Sequence, residues 1–105
     1  MEADMALKTR PFDAAKYLDD AESQEIVLRD ALSTGHAGLI ANAIGAIARA
    51  RGMSALAKET GLSRQSLYAA FSEDGNPTLD TVLKVLHALG LQLDVKQEER
   101  ELERA

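Results

Sequence analysis

The stretch Met53-Ser54-Ala55-Leu56-Ala57-Lys58-Glu59-Thr60-Gly61-Leu62-Ser63-Arg64-Gln65-Ser66-Leu67-Tyr68-Ala69-Ala70-Phe71-Ser72 reads as two short helices joined by a tight turn. The first helix spans residues 53–60, the turn 61–63, and the second helix 64–71, opened by Ser63 as its cap. Ala57 is small enough for the second helix to cross closely over the first. Gly61 supplies the left-handed backbone that a sharp turn between two helices demands. Leu56, Leu62, Leu67, Ala70 and Phe71 then face inward and fix the crossing angle.

The outer face of the second helix is left with Arg64, Gln65, Tyr68, Ala69 and Ser72, at spacings of one, three and four. Those side chains suit the major groove of a duplex. Arginine grips guanine and glutamine grips adenine with paired hydrogen bonds, and a small apolar residue packs against a thymine methyl. Ser54, Lys58, Ser63 and Tyr68 have the chemistry to hold phosphates and set register. The reading is therefore a helix-turn-helix at residues 53–72 that binds double-stranded DNA. An ordinary helical hairpin with a polar outer face shares several of these features. The conjunction of Ala57, Gly61 and Leu67 with a capping serine and an exposed Arg-Gln pair favours the DNA reading.

Working outward, residues 37–51 carry Ile40, Ile44, Ile47 and Ala48 at helical spacing, and a helix is expected from about Gly38 to Arg51 with Gly52 as its stop. Gly45 lowers helix propensity there and implies close packing against a neighbour. Upstream, Asp19-Asp20-Ala21-Glu22-Ser23 is the acidic start of a helix that carries Val27, Leu28, Ala31 and Leu32 and ends at Thr34-Gly35. Pro11 begins a short helical turn with Phe12, Ala15, Tyr17 and Leu18. Residues 1–8 show no period and read as a flexible leader. Downstream, Asp74-Gly75-Asn76-Pro77 is a turn. Thr78 caps a helix whose apolar stripe is Leu79, Val82, Leu83, Leu86 and Leu89, and Gly90 ends it. Leu91-Gln92-Leu93-Asp94-Val95 alternates with the period of a short half-buried strand, and residues 96–105 form a charged tail. The fold class is all-α, five or six helices with a short C-terminal β-strand, in a single domain over residues 9–95.

Size and composition agree with this. A chain of 105 residues holds one domain, and 46% apolar content with only two Phe and two Tyr predicts an aliphatic core. Without cysteine there is neither a disulfide nor a thiolate metal site, which suits the cytoplasm. The most apolar stretch, Ala37 to Ala50, is shorter than the ~20 residues of a membrane span and contains Asn42 and Arg49, so no membrane role is expected. The net charge of −5 is unevenly distributed. Residues 1–37 and 73–105 each hold four basic and eight acidic groups, whereas residues 38–72 hold Arg49, Arg51, Lys58 and Arg64 against Glu59 alone. Steering toward phosphate depends on that local excess. Arg49 and Arg51 are expected to add salt-sensitive attraction.

Other chemistry finds little support. His36 and His87 stand apart from any ligand cluster, so no metal site is expected. Asp19, Asp20, Glu22 and Glu25 read as a solvated helix start rather than catalytic carboxylates. No nucleophile triad or phosphate-binding loop is present, and neither enzymatic activity nor a cofactor is expected. The lone strand at Leu91, Leu93 and Val95 needs a partner. It can pair with the same strand of a second subunit, setting two recognition helices roughly 34 Å apart. Pairing with another protein, or lying as a cap over the core, remain open alongside it.

Residues 39–95 resemble the lambda-repressor-like (Xre-type) helix-turn-helix class. More narrowly, the chain from about Lys8 resembles the addiction-module antidote (antitoxin) family, related to the HigA-type antidotes. The resemblance rests on Thr9-Arg10-Pro11-Phe12-Asp13, Ile47-Ala48-Arg49-Ala50-Arg51-Gly52-Met53, Thr60-Gly61-Leu62-Ser63-Arg64 and Ser66-Leu67-Tyr68. It extends through Ser72-Glu73-Asp74-Gly75-Asn76-Pro77 and Val85-Leu86-His87-Ala88-Leu89-Gly90-Leu91, covering about nine-tenths of the chain. It implies a compact domain that dimerises on a palindromic operator, neutralises a small RelE/HigB-type ribonuclease toxin and represses its own operon. Met53 stands where many relatives have a phosphate-reaching Gln, so Ser54 or a backbone N–H has to substitute. Glu73 and Asp74 lie in the loop that approaches DNA in this class and would repel phosphate, which leaves Gly75 and Asn76 for any loop contact. Two other functions fit the same residues. A helix-turn-helix regulator without a toxin would lack a small basic toxin gene beside its own. A pure protein-interaction module would bind a partner but show no salt-dependent DNA binding.

Overall fold

The computed structural model describes residues 20–98, and among them there are five helices and no strand. The expected leader at residues 1–8, the helical turn at Pro11 and most of the charged tail lie outside the described residues. Helix α1 spans Ala21–Thr34, α2 Ala37–Arg51, α3 Met53–Thr60, α4 Arg64–Ala70 and α5 Leu79–Ala88. No helix among the described residues is long and apolar enough to cross a membrane.

The boundaries follow from local chemistry. The Asp20 carboxylate accepts from the Ser23 N–H at 2.7 Å to open α1, and Gly35 closes it in the left-handed region at φ 66°. α2 begins one residue earlier than the hydrophobic period suggests. His36 caps it, with Nδ1 accepting from the Leu39 N–H at 3.2 Å. Gly52, at φ 110°, separates α2 from α3. The Thr78 hydroxyl accepts from the Thr81 N–H at 3.2 Å to start α5.

One aliphatic core draws on all five helices: Leu28 of α1, Ile44 and Ile47 of α2, Leu56 of α3, Leu67 of α4, and Val85 and Leu86 of α5 are all buried. Burial of this kind contributes roughly 1.5–3 kcal/mol per large side chain. α1 packs mainly on α2, while α2 also supports α3 and α4, and α5 lies against α3. α2 therefore stands between the acidic first helix and the helical pair.

Two expectations for the C-terminal half are corrected. Leu79 and Leu83 belong to the sequence stripe of α5, yet they are 67% and 47% exposed, while Val85 is fully buried. At 100° per residue the face that meets the core centres between Val85 and Leu86, and Leu79 and Leu83 fall about 70° and 110° away from it. Residues 91–95 form no strand. A strand is defined by its ladder, and among the described residues there is no second strand to pair with. The Leu91 N–H instead donates to the Leu86 carbonyl at 2.8 Å, finishing the helix end. Leu91 is partly buried, but exposure rises along the segment to 91% at Val95.

Candidate nucleic-acid interface

The helical pair α3–α4 forms with the expected turn. Gly61 adopts φ 79° and its N–H donates to the Ala57 carbonyl at 2.9 Å. The Thr60 hydroxyl donates to the Leu56 carbonyl at 2.8 Å and accepts from the Leu62 N–H at 3.2 Å, so the turn is braced from both sides. Ser63 then caps α4, its Oγ accepting from the Ser66 N–H at 3.0 Å and lying 2.8 Å from the Ser66 hydroxyl. α4 is one residue shorter than expected, with Phe71 as its C-cap.

Two buried anchors, Leu67 and Phe71, fix the rotation of α4 about its axis. Their inward direction forces Arg64, Gln65, Tyr68 and Ala69 outward, and all four are exposed. The Arg64 guanidinium sits 6.0 Å from the centroid of the Tyr68 ring one turn away. That distance is at the outer limit of a cation–π contact, which orients the arginine without occupying its donors. Ser54 and Lys58 are exposed one turn apart on α3. The N-cap of α3 is Gly52, which provides no side-chain hydrogen bond to that helix's first N–H groups.

Phe71 also ties this face to the rest of the fold. A methyl group on Gly45 of α2 would overlap the Phe71 carbonyl, and one on Gly38 would come within 2.6 Å of the Glu73 carbonyl oxygen. These two glycines, seven residues apart on one side of α2, let the end of α4 and its following turn lie directly on the helix. Gly75 works the same way from the other side. A Cβ there would meet the Ala69 and Ala70 carbonyls, and its N–H already donates to the Ser72 carbonyl at 2.9 Å. The structure thus gives Gly75 a packing role under the end of α4, while the neighbouring Asn76 is exposed.

The four cations of residues 38–72 divide into two groups. Among the described residues the salt bridges are Arg29–Glu25 at 2.6 Å and Lys84–Asp80 at 3.3 Å, so Arg49, Lys58 and Arg64 have no carboxylate partner there. Arg51 differs from the expectation of a loose phosphate attractor. Its Nη2 donates to the Leu89 carbonyl at 2.6 Å, at the end of α5. Charge counting along the sequence missed that use, because it depends on which helix end folds back to meet the arginine. The His36 cap was also missed, although a polar residue directly before an apolar helix was a signal for it. No group of three or more His, Asp or Glu residues close enough to hold a metal occurs among the described residues.

Residues 8–97 match the model of a family described as "probable addiction module antidote protein". The chain belongs to that family. An uncharacterised protein of Haemophilus influenzae is 44% identical over 93 residues, covering 89% of this chain and 96% of the relative. No solved structure matches. Membership of an antidote family supports an antitoxin role and, in general terms, a toxin partner.

Proposed function

We propose that this antidote-family chain is a sequence-specific DNA-binding repressor of its own toxin–antitoxin operon, with a lambda-repressor-like helix-turn-helix at α3–α4. The observation that carries this reading is the outward face of α4. Arg64 and Gln65 stand exposed on its first turn, without a carboxylate partner among the described residues, above a buried Leu67–Phe71 anchor. Such a preset pair is suited to reading base edges. In this reading Ala69 extends the contact, Ser54, Lys58, Ser63 and Tyr68 hold the phosphates, and Gly75 and Asn76 make any contact from the following turn.

Two copies would meet through Leu91, Leu93 and Val95, pairing the open backbone of one segment with that of the other. Two α4 helices then address half-sites about 34 Å apart. The toxin in this scheme is a small basic ribonuclease of the RelE/HigB type, and the outer face of α1, where Glu22, Glu25 and Asp30 outnumber the Arg29 paired to Glu25, is the surface offered to it. The HigA relationship, action in the cytoplasm and the lack of catalysis by the chain itself belong to the same proposal.

Fluorescence anisotropy with a duplex from the chain's own upstream region tests it. Binding should weaken steeply with salt and be lost in the Arg64→Ala, Gln65→Ala variant. Undiminished binding by that double variant rules out α4 as the reading face. Copurification with the product of the adjacent reading frame tests the toxin arm.

A further inference from the structure

Arg51 lies in the most basic part of the chain, where a contact to DNA phosphate is the simplest expectation, yet its guanidinium is bound to the end of another helix. It closes the last turn of α2 and donates through Nη2 to the Leu89 carbonyl at 2.6 Å, thirty-eight residues further along. That carbonyl belongs to the C-cap of α5, where helix carbonyls lack intrahelical donors and carry partial negative charge. The C-terminal ends of α2 and α5 thus converge on one cation. A charge-assisted hydrogen bond at such a place is short and directional.

Two further contacts set the direction in which the chain leaves this point. The Gly90 N–H donates to the His87 carbonyl at 3.0 Å, with Gly90 at φ 77°, and the Leu91 N–H donates to the Leu86 carbonyl at 2.8 Å. Leu89 itself is buried. The segment from Leu91 to Val95 therefore departs from a helix end that Arg51 clamps to α2, and α2 is also the helix on which α4 and its C-terminal turn rest.

We propose that Arg51 is a positioning residue: it holds the exit of residues 91–95 at a fixed angle to the recognition helix and so sets the half-site spacing that a dimer can span. This rests on the reading of the chain as a DNA-binding dimer joined through residues 91–95. Arg51 acts on DNA through geometry, and phosphate contact is left to Lys58, Ser54 and Ser63, with Arg49 adding long-range attraction.

The test uses the full chain with Arg51→Met, which keeps the aliphatic stem and removes the donor and the charge. Its probes are the upstream-region duplex and the same duplex with two base pairs inserted at the centre of the protected region. The wild type should prefer the native spacing, and Arg51→Met should reduce that preference by about tenfold, the scale of one charge-assisted hydrogen bond. The slope of log affinity against log salt should stay as in the wild type. A phosphate contact would instead lower the slope by about 0.9 and leave the spacing preference intact, and that result overturns the proposal. A variant indistinguishable from wild type in both readouts overturns it too. If circular dichroism shows Arg51→Met unfolded, Arg51→Gln, which retains an uncharged donor, is measured by the same two readouts. Failure of the wild type to bind either duplex removes the DNA reading and this inference together, whereas normal wild-type binding confines any failure to Arg51.

Discussion

Replacing Gly45 by alanine sets two terms of opposite sign against each other. Gly45 is buried in the middle of α2, where alanine is favoured over glycine by about 1 kcal/mol of helix propensity. The added methyl, however, would overlap the carbonyl of Phe71, with the Phe71 Cβ only 3.3 Å away. A flexible side chain would move aside cheaply, but a carbonyl moves only with its backbone, and here the backbone is the cap that ends α4. Overpacking of a close-packed interior costs about 1–3 kcal/mol, and displacement of main chain belongs in the upper part of that range. The steric term wins, leaving a net loss of about 1–2 kcal/mol. For a domain of this size each kcal/mol lowers Tm by about 4–8 °C, so calorimetry should record a fall of about 10 °C. Hydrogen exchange should locate the damage. The Phe71 N–H, bonded to the Leu67 carbonyl at 3.0 Å, should exchange faster in the variant, while amides in the middle of α1, around the buried Leu28, should follow only the global change. An equal or higher Tm with unaltered exchange at Phe71 would refute the claim that α2 and the end of α4 are in backbone contact.

Arg64→Ala and Gln65→Ala should each cost about 1–3 kcal/mol of binding to the cognate duplex while leaving the thermal midpoint within error, because both residues are exposed; paired anisotropy and melting curves check this. Ser63→Ala removes the hydroxyl that accepts from the Ser66 N–H and should destabilise the fold by about 1 kcal/mol, read from urea denaturation at unchanged m-value. Asp20 accepts hydrogen bonds from the backbone N–H and the side chain of Ser23, which hold its carboxyl below the usual value of 3.8. The sign follows: the cap's contribution is complete above 3.8 and fades as pH falls through the lower folded-state value. An Asp20→Asn variant should show a flatter acid limb in melting temperature against pH, and identical acid limbs would dismiss the cap.

Much of α3–α4 was legible because its determinants are local. The left-handed Gly61, the capping Ser63 and the alternation of buried Leu67 and Phe71 with exposed Arg64, Gln65 and Tyr68 all lie within a dozen residues, where sequence spacing is spatial spacing. α5 was legible as a helix but not in its orientation. Its apolar residues cover so wide an arc that only the position of α3 decides that Val85 is buried and Leu83 is not. The alternation in residues 91–95 describes which side chains could share a face, but not whether a partner strand exists to hold the backbone. Arg51 shows the same boundary from the side of charge, since a count of cations cannot distinguish a guanidinium facing solvent from one bound to a carbonyl of another helix.

The distribution of charge in space decides how a chain of net charge −5 can carry the proposed DNA-binding face. α1 carries Glu22, Glu25 and Asp30 on its exposed side and packs chiefly on α2, whereas α4 meets α2 and α3. Packed helices lie about 8–10 Å apart, and the acidic helix, which packs on α2 rather than on α4, stands beyond one such spacing from α4. The Debye length at physiological salt is about 8 Å. Repulsion between the acidic helix and a duplex on α4 is therefore largely screened, while Arg64 and Lys58 act at contact distance, where screening is least effective. The arrangement has a second consequence: a basic partner attracted to α1 would approach from across α2, leaving α4 exposed. In the proposed function, base reading and toxin binding then use different helices. Glu25 and Arg29 of α1, however, share one shallow groove with residues 91–94. A partner on α1 therefore adjoins the proposed dimer seam, and its arrival bears on the dimer before it bears on α4.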